Sequence, residues 1–163
     1  MKKNGQTLIE VLVGLASAVV ILSAITLATV TALNNTEFSQ NQNLATSYVQ
    51  QGMEIVRNMR DTNFSTFNAL SDHYCLASSC TALTAGVGPC GSSLTQAACG
   101  QNVSNFVREV EIEKASSTCQ GVNTKVTVTV SWFDTKCRSS TAPFCHSVSS
   151  STCFSDATVA PKP

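Results

Sequence analysis

Proline is missing from this chain until Pro89, cysteine is missing until Cys75, and no charged side chain occurs from Val11 to Leu33. The first absence removes the residue that most readily breaks a helix. The second leaves the N-terminal part without cross-links or thiol chemistry. The third takes away the groups that resist transfer of a helix into lipid. A net charge is missing too. Ten basic residues balance ten acidic ones, so charge implies no nucleic-acid partner. Arg57, Arg60, Lys114, Lys125, Lys136 and Arg138 are scattered and form no phosphate-binding patch. Catalytic motifs are lacking as well: there is no G-x-S-x-G, no Gly-rich loop after a strand pattern and no C-x-x-C. The two histidines, His73 and His146, stand apart from any nucleophile motif. No enzyme activity, cofactor or metal follows from the residues present.

What is present begins at the N-terminus. Met1 to Gly5 is a short basic segment carrying Lys2 and Lys3; Gln6-Thr7-Leu8-Ile9-Glu10 follows, and then the uncharged run. About 20 apolar residues cross a hydrocarbon core, and Val11 to Leu33 meets that length. A carboxylate left at mid-bilayer costs roughly 2.5–3.5 kcal/mol, so Glu10 calls for an explanation. A secretory signal peptide accounts for the basic start and for a small-residue cleavage site at Val30-Thr31-Ala32. The run is long for such a signal, however, and Glu10 interrupts its start. A single-pass anchor accounts for length, and Lys2 and Lys3 hold its N-terminus in the cytoplasm, but Glu10 is left over.

The segment resembles the leader of type IV pilins and of type II secretion pseudopilins. In that family a short basic leader ends in Gly, a prepilin peptidase cuts after it, and T-L-[IV]-E follows. The matching residues are Gly5 at the cut and Thr7, Leu8, Ile9 and Glu10 beyond it. The resemblance implies that Glu10 pairs with the α-amino group of Gln6 on a neighbouring subunit. It also implies a pilus assembly platform, membrane lipid before assembly and other pilin subunits as partners. The chain departs from the family at Gln6, where an N-methylated Phe is usual, and in having no Pro in the apolar half of the helix. Gly14 and Ala18 form a small-x-x-x-small pair that lets parallel helices approach; an Ala/Ser-rich composition produces such pairs by chance as well.

The helical pattern continues past the apolar run. From Asn34 to Arg60, Leu44, Tyr48, Gly52, Ile55 and Met59 recur at steps of three and four, with Ala45, Val49, Met53 and Val56 beside them. That spacing predicts an amphipathic helix with a wide buried face. A single helix from Thr7 to Arg60 would measure roughly 80 Å at about 1.5 Å per residue. From Thr62 to Gly100 periodicity fades, and the segment reads as a spacer closed by disulfides around the turn cluster Gly86 to Gly91. Two alternating stretches follow. In Phe106–Glu113 one face holds Phe106, Val110 and Ile112 and the other is mostly Glu; in Lys125–Trp132 Val and Trp alternate with Thr and Ser. Both read as half-buried strands, joined by a turn at Gln120–Asn123, and a weaker strand is expected from Cys145 to Phe154. Trp132 is expected in the core, sharing a face with Val126, Val128 and Val130. Glu109, Glu111 and Glu113 read as a solvated sheet edge, and the sequons at Asn34, Asn63 and Asn102 as coincidental in a Ser/Thr-rich chain.

The cysteines are Cys75, Cys80, Cys90, Cys99, Cys119, Cys137, Cys145 and Cys153. Their even number and crowding predict a disulfide framework made in an oxidising compartment. They allow on the order of a hundred pairings, and a metal site is the competing use. The expected architecture is α+β: a leader at 1–5, a transmembrane or filament-core helix at 6–33, an amphipathic helix at 34–61 and a disulfide-rich antiparallel head at 62–163. The long helix packed on a small antiparallel sheet also resembles the pilin fold, and with it the minor subunits of the family. The expected role is a structural subunit, first a single-pass inner-membrane protein with its head outside, then part of an extracellular filament. The competing roles are a membrane-anchored binding or adhesion protein without a filament, and a secreted domain cleaved near Ala32.

Overall fold

The computed structural model describes residues 4–93, 96–114, 116–119, 124–134, 137 and 144–155, with residues 4–7, 96 and 97 described by backbone alone. Lys2 and Lys3, the side chains of Gln6 and Thr7, the expected turn Gln120–Asn123, Lys136 and Arg138 lie outside that description. Helix α1 runs from Asn4 to Thr62, 59 residues without interruption. Contacts divide the chain into two compact units, Met1–Gln40 and Asn41–Pro163. The first is α-helical throughout its described part.

The second unit is α+β, as expected. It holds the end of α1, the short helices α2 (Phe64–Ala69) and α3 (Gln96–Cys99), and the strands β1 (Asp72–Cys75), β2 (Val107–Glu113), β3 (Thr124–Trp132) and β4 (His146–Phe154). The sheet order is β1-β2-β3-β4 and every pairing is antiparallel. Alternation puts Val126, Val128, Val130 and Trp132 on the face that meets α1, all buried. Trp132 is therefore a core residue. Its ring lies 5.9 Å from that of Phe106, which meets Tyr48 of α1 edge-on at 5.3 Å.

The buried stripe of α1 is Ala45, Val49, Gly52, Met53, Val56 and Met59. Leu44, expected on that face, is exposed, and Tyr48 and Ile55 flank the stripe. The contact is centred one residue further along than the strict three–four series. Gly52 explains the shift. A Cβ there would lie 2.8 Å from Val128 Cγ1 and 3.1 Å from Arg108 Cδ, so the helix comes closest to the sheet where it has no side chain.

The segment from Thr62 to Gly100 is not a spacer. It contributes β1 and the buried side chains Phe67, Leu70, Tyr74, Leu76, Ala77 and Leu83. Asn63 starts α2 by accepting a hydrogen bond from the Thr66 N–H at 3.0 Å. Phe67 then packs edge-on against Phe154 of β4 at 5.8 Å, with the Arg60 guanidinium over the Phe154 ring at 4.8 Å. At the turn cluster, Gly91 passes so near Gly86 that a Cβ would sit 1.7 Å from its carbonyl oxygen; only glycine closes that loop.

All eight cysteines are paired: Cys75–Cys99, Cys80–Cys90, Cys119–Cys153 and Cys137–Cys145. The disulfide reading thus prevails over a metal site in the oxidised chain. Glu109, Glu111 and Glu113 share one face, but β2 lies between β1 and β3, so they do not mark a sheet edge. The edges are β1 and β4.

Candidate functional site

The apolar half of α1 carries the features that sequence patterning singled out. Leu8, Ile9, Val11, Leu12, Val13 and Leu15 are each more than half exposed, and the apolar side chains onward to Leu33 are likewise open. A helix in water does not leave such a surface uncovered. It is long and apolar enough to cross a membrane.

The hydroxyl groups within the run are compatible with such a crossing. Ser17 donates to the Gly14 carbonyl, Ser23 to Val19, Thr26 to Leu22, Thr29 to Ile25 and Thr31 to Leu27, at 2.8–2.9 Å. Every Ser and Thr from Val11 to Leu33 is therefore satisfied by its own helix. A free hydroxyl would oppose immersion in hydrocarbon, whereas these present only methyl and methylene groups outward.

Glu10 is the exception. It is exposed and has no hydrogen-bond or ion-pair partner among the described residues. At about 3.6 residues per turn, Gly14, Ser17, Ile21, Ala24, Ala28 and Ala32 fall on the same face as Glu10, and a Cβ at Gly14 would meet no atom within 4 Å. Ala18 lies at the margin of this face, so the Gly14–Ala18 pair belongs to a longer stripe of mostly small residues, interrupted by Ile21. Only the start of that stripe is evident from the small-x-x-x-small motif; the remainder follows from the unbroken helix through Ala32. The structure brings Gly5, Leu8, Ile9, Glu10, Gly14 and Ala18 onto one helical segment and leaves the side chains of Gln6 and Thr7 undescribed.

A second feature was not legible as a motif. Arg108 lies on the apolar face of β2, between Phe106 and Val110, and is almost wholly buried. Its Nε donates to the Leu76 carbonyl at 2.9 Å, Nη2 to Ala77 at 3.1 Å and Nη1 to Tyr48 of α1 at 3.2 Å. Asn102 in turn clasps the Arg108 backbone, accepting from its N–H at 2.8 Å and donating to its carbonyl at 2.9 Å. Burial lowers the Arg108 pKa, with Tyr48 opposing that shift. The guanidinium fastens helix, loop and sheet together through main-chain carbonyls, and this arrangement is structural rather than catalytic. Asn63 and Asn102, both in sequons, are committed to the fold in these ways.

On the opposite face of β2, burial raises the Glu109 pKa, partly offset by His73, while a hydrogen bond from Lys125 lowers that of Glu113. The Lys125–Glu113 pair is 2.9 Å apart, and His73 Nε2 lies 3.6 Å from Glu111. These groups follow the strand register. Comparison with known proteins adds no assignment: no protein-family model, no curated protein and no solved structure matches the chain.

Proposed function

We propose that this protein is a structural subunit of a type IV pilus or pseudopilus-like filament, assembled through α1. One observation carries the reading: Glu10, directly after Gly5-Gln6-Thr7-Leu8-Ile9, has no partner among the described residues and stands at the head of an exposed apolar helix. A prepilin peptidase cutting after Gly5 creates an amine at Gln6. A carboxylate and an ammonium are each costly in hydrocarbon and offset one another when docked. Pairing Glu10 with the Gln6 amine of a neighbour therefore favours staggered parallel helices. The stripe from Gly14 to Ala32 gives those helices a face for close approach. Since the helix moves from lipid to protein rather than from water, packing and polar pairing supply the specificity.

In this reading Lys2 and Lys3 hold the leader inside, the disulfide-bonded head lies outside, and an assembly platform moves the subunit into the filament. The elaborate head favours a minor subunit. Mass spectrometry of the mature chain from the producing cell tests the first step. A chain starting at Gln6 is expected. A start at Leu33 identifies a secreted domain instead, and an intact leader identifies a membrane-anchored binding protein.

A further inference from the structure

Beyond the N-terminal helix, one corner of the head gathers four side chains of a different kind. Asp134 follows β3, Cys137 and Cys145 form a disulfide, and His146 opens β4. Their ligating atoms all lie within 4.8 Å of one another. His146 Nε2 is 3.0 Å from Asp134 Oδ2, and the Asp134 N–H points at Cys137 Sγ at 3.3 Å. We propose that this corner is a redox-gated binding site for a divalent zinc-like ion, closed while the disulfide is intact and opened by its reduction.

The donor set fits that ion. Two thiolates, one imidazole and one carboxylate make a four-coordinate site, and zinc distances of about 2.0–2.3 Å place the donors of a tetrahedron within the spread seen here. Two donors are anchored by the sheet, because His146 pairs with Trp132 across β3 and β4 and Asp134 is two residues beyond that pair. The Asp134 N–H stabilises sulfur as thiolate, the form that binds metal. In the oxidised chain both sulfurs are bonded to each other and carry no charge, so the ion is not held.

Opening is a balanced exchange. A dithiol attacks the Cys137–Cys145 bond, takes up the disulfide itself and leaves two protein thiols; metal binding then displaces two protons. Cys145 is exposed and within reach of the reductant. This bond closes the shortest loop of the four, with a sequence separation of 8 against 10, 24 and 34. It therefore restrains the unfolded chain least, and its reduction costs the fold least.

The test uses the detergent-solubilised full chain and Co²⁺ as a spectroscopic substitute for zinc. Trp132, the one tryptophan, lies 5.4 Å from the His146 ring and reports on the site by fluorescence. The oxidised chain is expected to give no thiolate-to-cobalt absorption. After limited dithiol treatment, with free Cys137 and Cys145 verified by alkylation mapping, one Co²⁺ should bind with that absorption and quench Trp132. His146→Ala and Asp134→Asn should each weaken binding at least tenfold. Equal absorption in a reduced Cys137→Ser/Cys145→Ser chain overturns the proposal, as does its absence from the reduced wild type. If reduction unfolds the head, Cys145→Ser frees Cys137 without any reductant. That variant must bind Co²⁺ through Cys137 with the same type of absorption and lose at least tenfold in affinity on adding His146→Ala; failure of either refutes the site.

Discussion

Arg108 shows how a single residue can hold several elements together. Its three hydrogen bonds reach α1 and the loop after β1, and removing it leaves the buried Leu76 and Ala77 carbonyls without a partner. Arg108→Met should cost about 2–4 kcal/mol in denaturant unfolding, since each such group left unsatisfied costs about 1–3 kcal/mol. Lysine should not rescue it, because a single ammonium cannot reproduce the planar fork. Alternation along β2 puts residue 108 on the apolar face, yet its charge argues for the opposite one. The conflict is resolved only by carbonyls from residues 48, 76 and 77, which no local pattern brings near. Glu109 makes a test by pH. Its folded pKa is raised by burial, so the native state holds its proton more tightly than the unfolded chain. Stability from this group is therefore greatest with the proton on, and falls as pH climbs from the ordinary glutamate value through the raised one. Glu109→Gln should flatten that part of the stability profile, with the variant gaining on the wild type as pH rises.

At the scale of elements, α1 serves two surroundings with one secondary structure. Its uncharged length and its change to one-sided patterning are plain in the sequence, but the buried face begins at Ala45 rather than at Asn34. The position of the buried stripe is less plain, because Leu44 and Ala45 compete for the inner face and the approach at Gly52 decides between them. Gly52→Ala should destabilise the head by about 1–3 kcal/mol, the usual cost of overpacking a fitted contact. Strands β2, β3 and β4 follow the period-two pattern closely. Strand β1 escapes it: only Asp72 to Cys75 pair, too short a run for alternation to register. In the apolar half, Ala28 lies on the small-residue face and Val19 on the opposite one. Ala28→Phe should reduce recovery in sheared filaments far more than Val19→Phe, with both variants inserting in the membrane equally.

For the whole molecule, the disulfides set how much of the head survives alone. The Cys119–Cys153 bond spans 34 positions and ties the turn before β3 to β4. Loop-closure entropy assigns it about 3–4 kcal/mol, roughly 1 kcal/mol more than the Cys137–Cys145 bond. Thermal unfolding of the paired Ser variants should rank them in that order. Oxidation was legible from the number and crowding of cysteines; the pairing was not, because it depends on which loops the sheet brings together. The N-terminal segment presents the reverse case. Its motif is local and readable, while the pairing proposed for Glu10 needs a second copy of the chain.

Filament incorporation of Glu10→Ala examines that dependence most directly. Cells producing the wild type or the variant are sheared, and the subunit is quantified by immunoblot in the sheared and membrane fractions. The wild type should appear among the sheared filaments, while Glu10→Ala, processed after Gly5 as before, should stay in the membrane. Equal recovery of the two chains in filaments would contradict the assignment of Glu10 to subunit assembly.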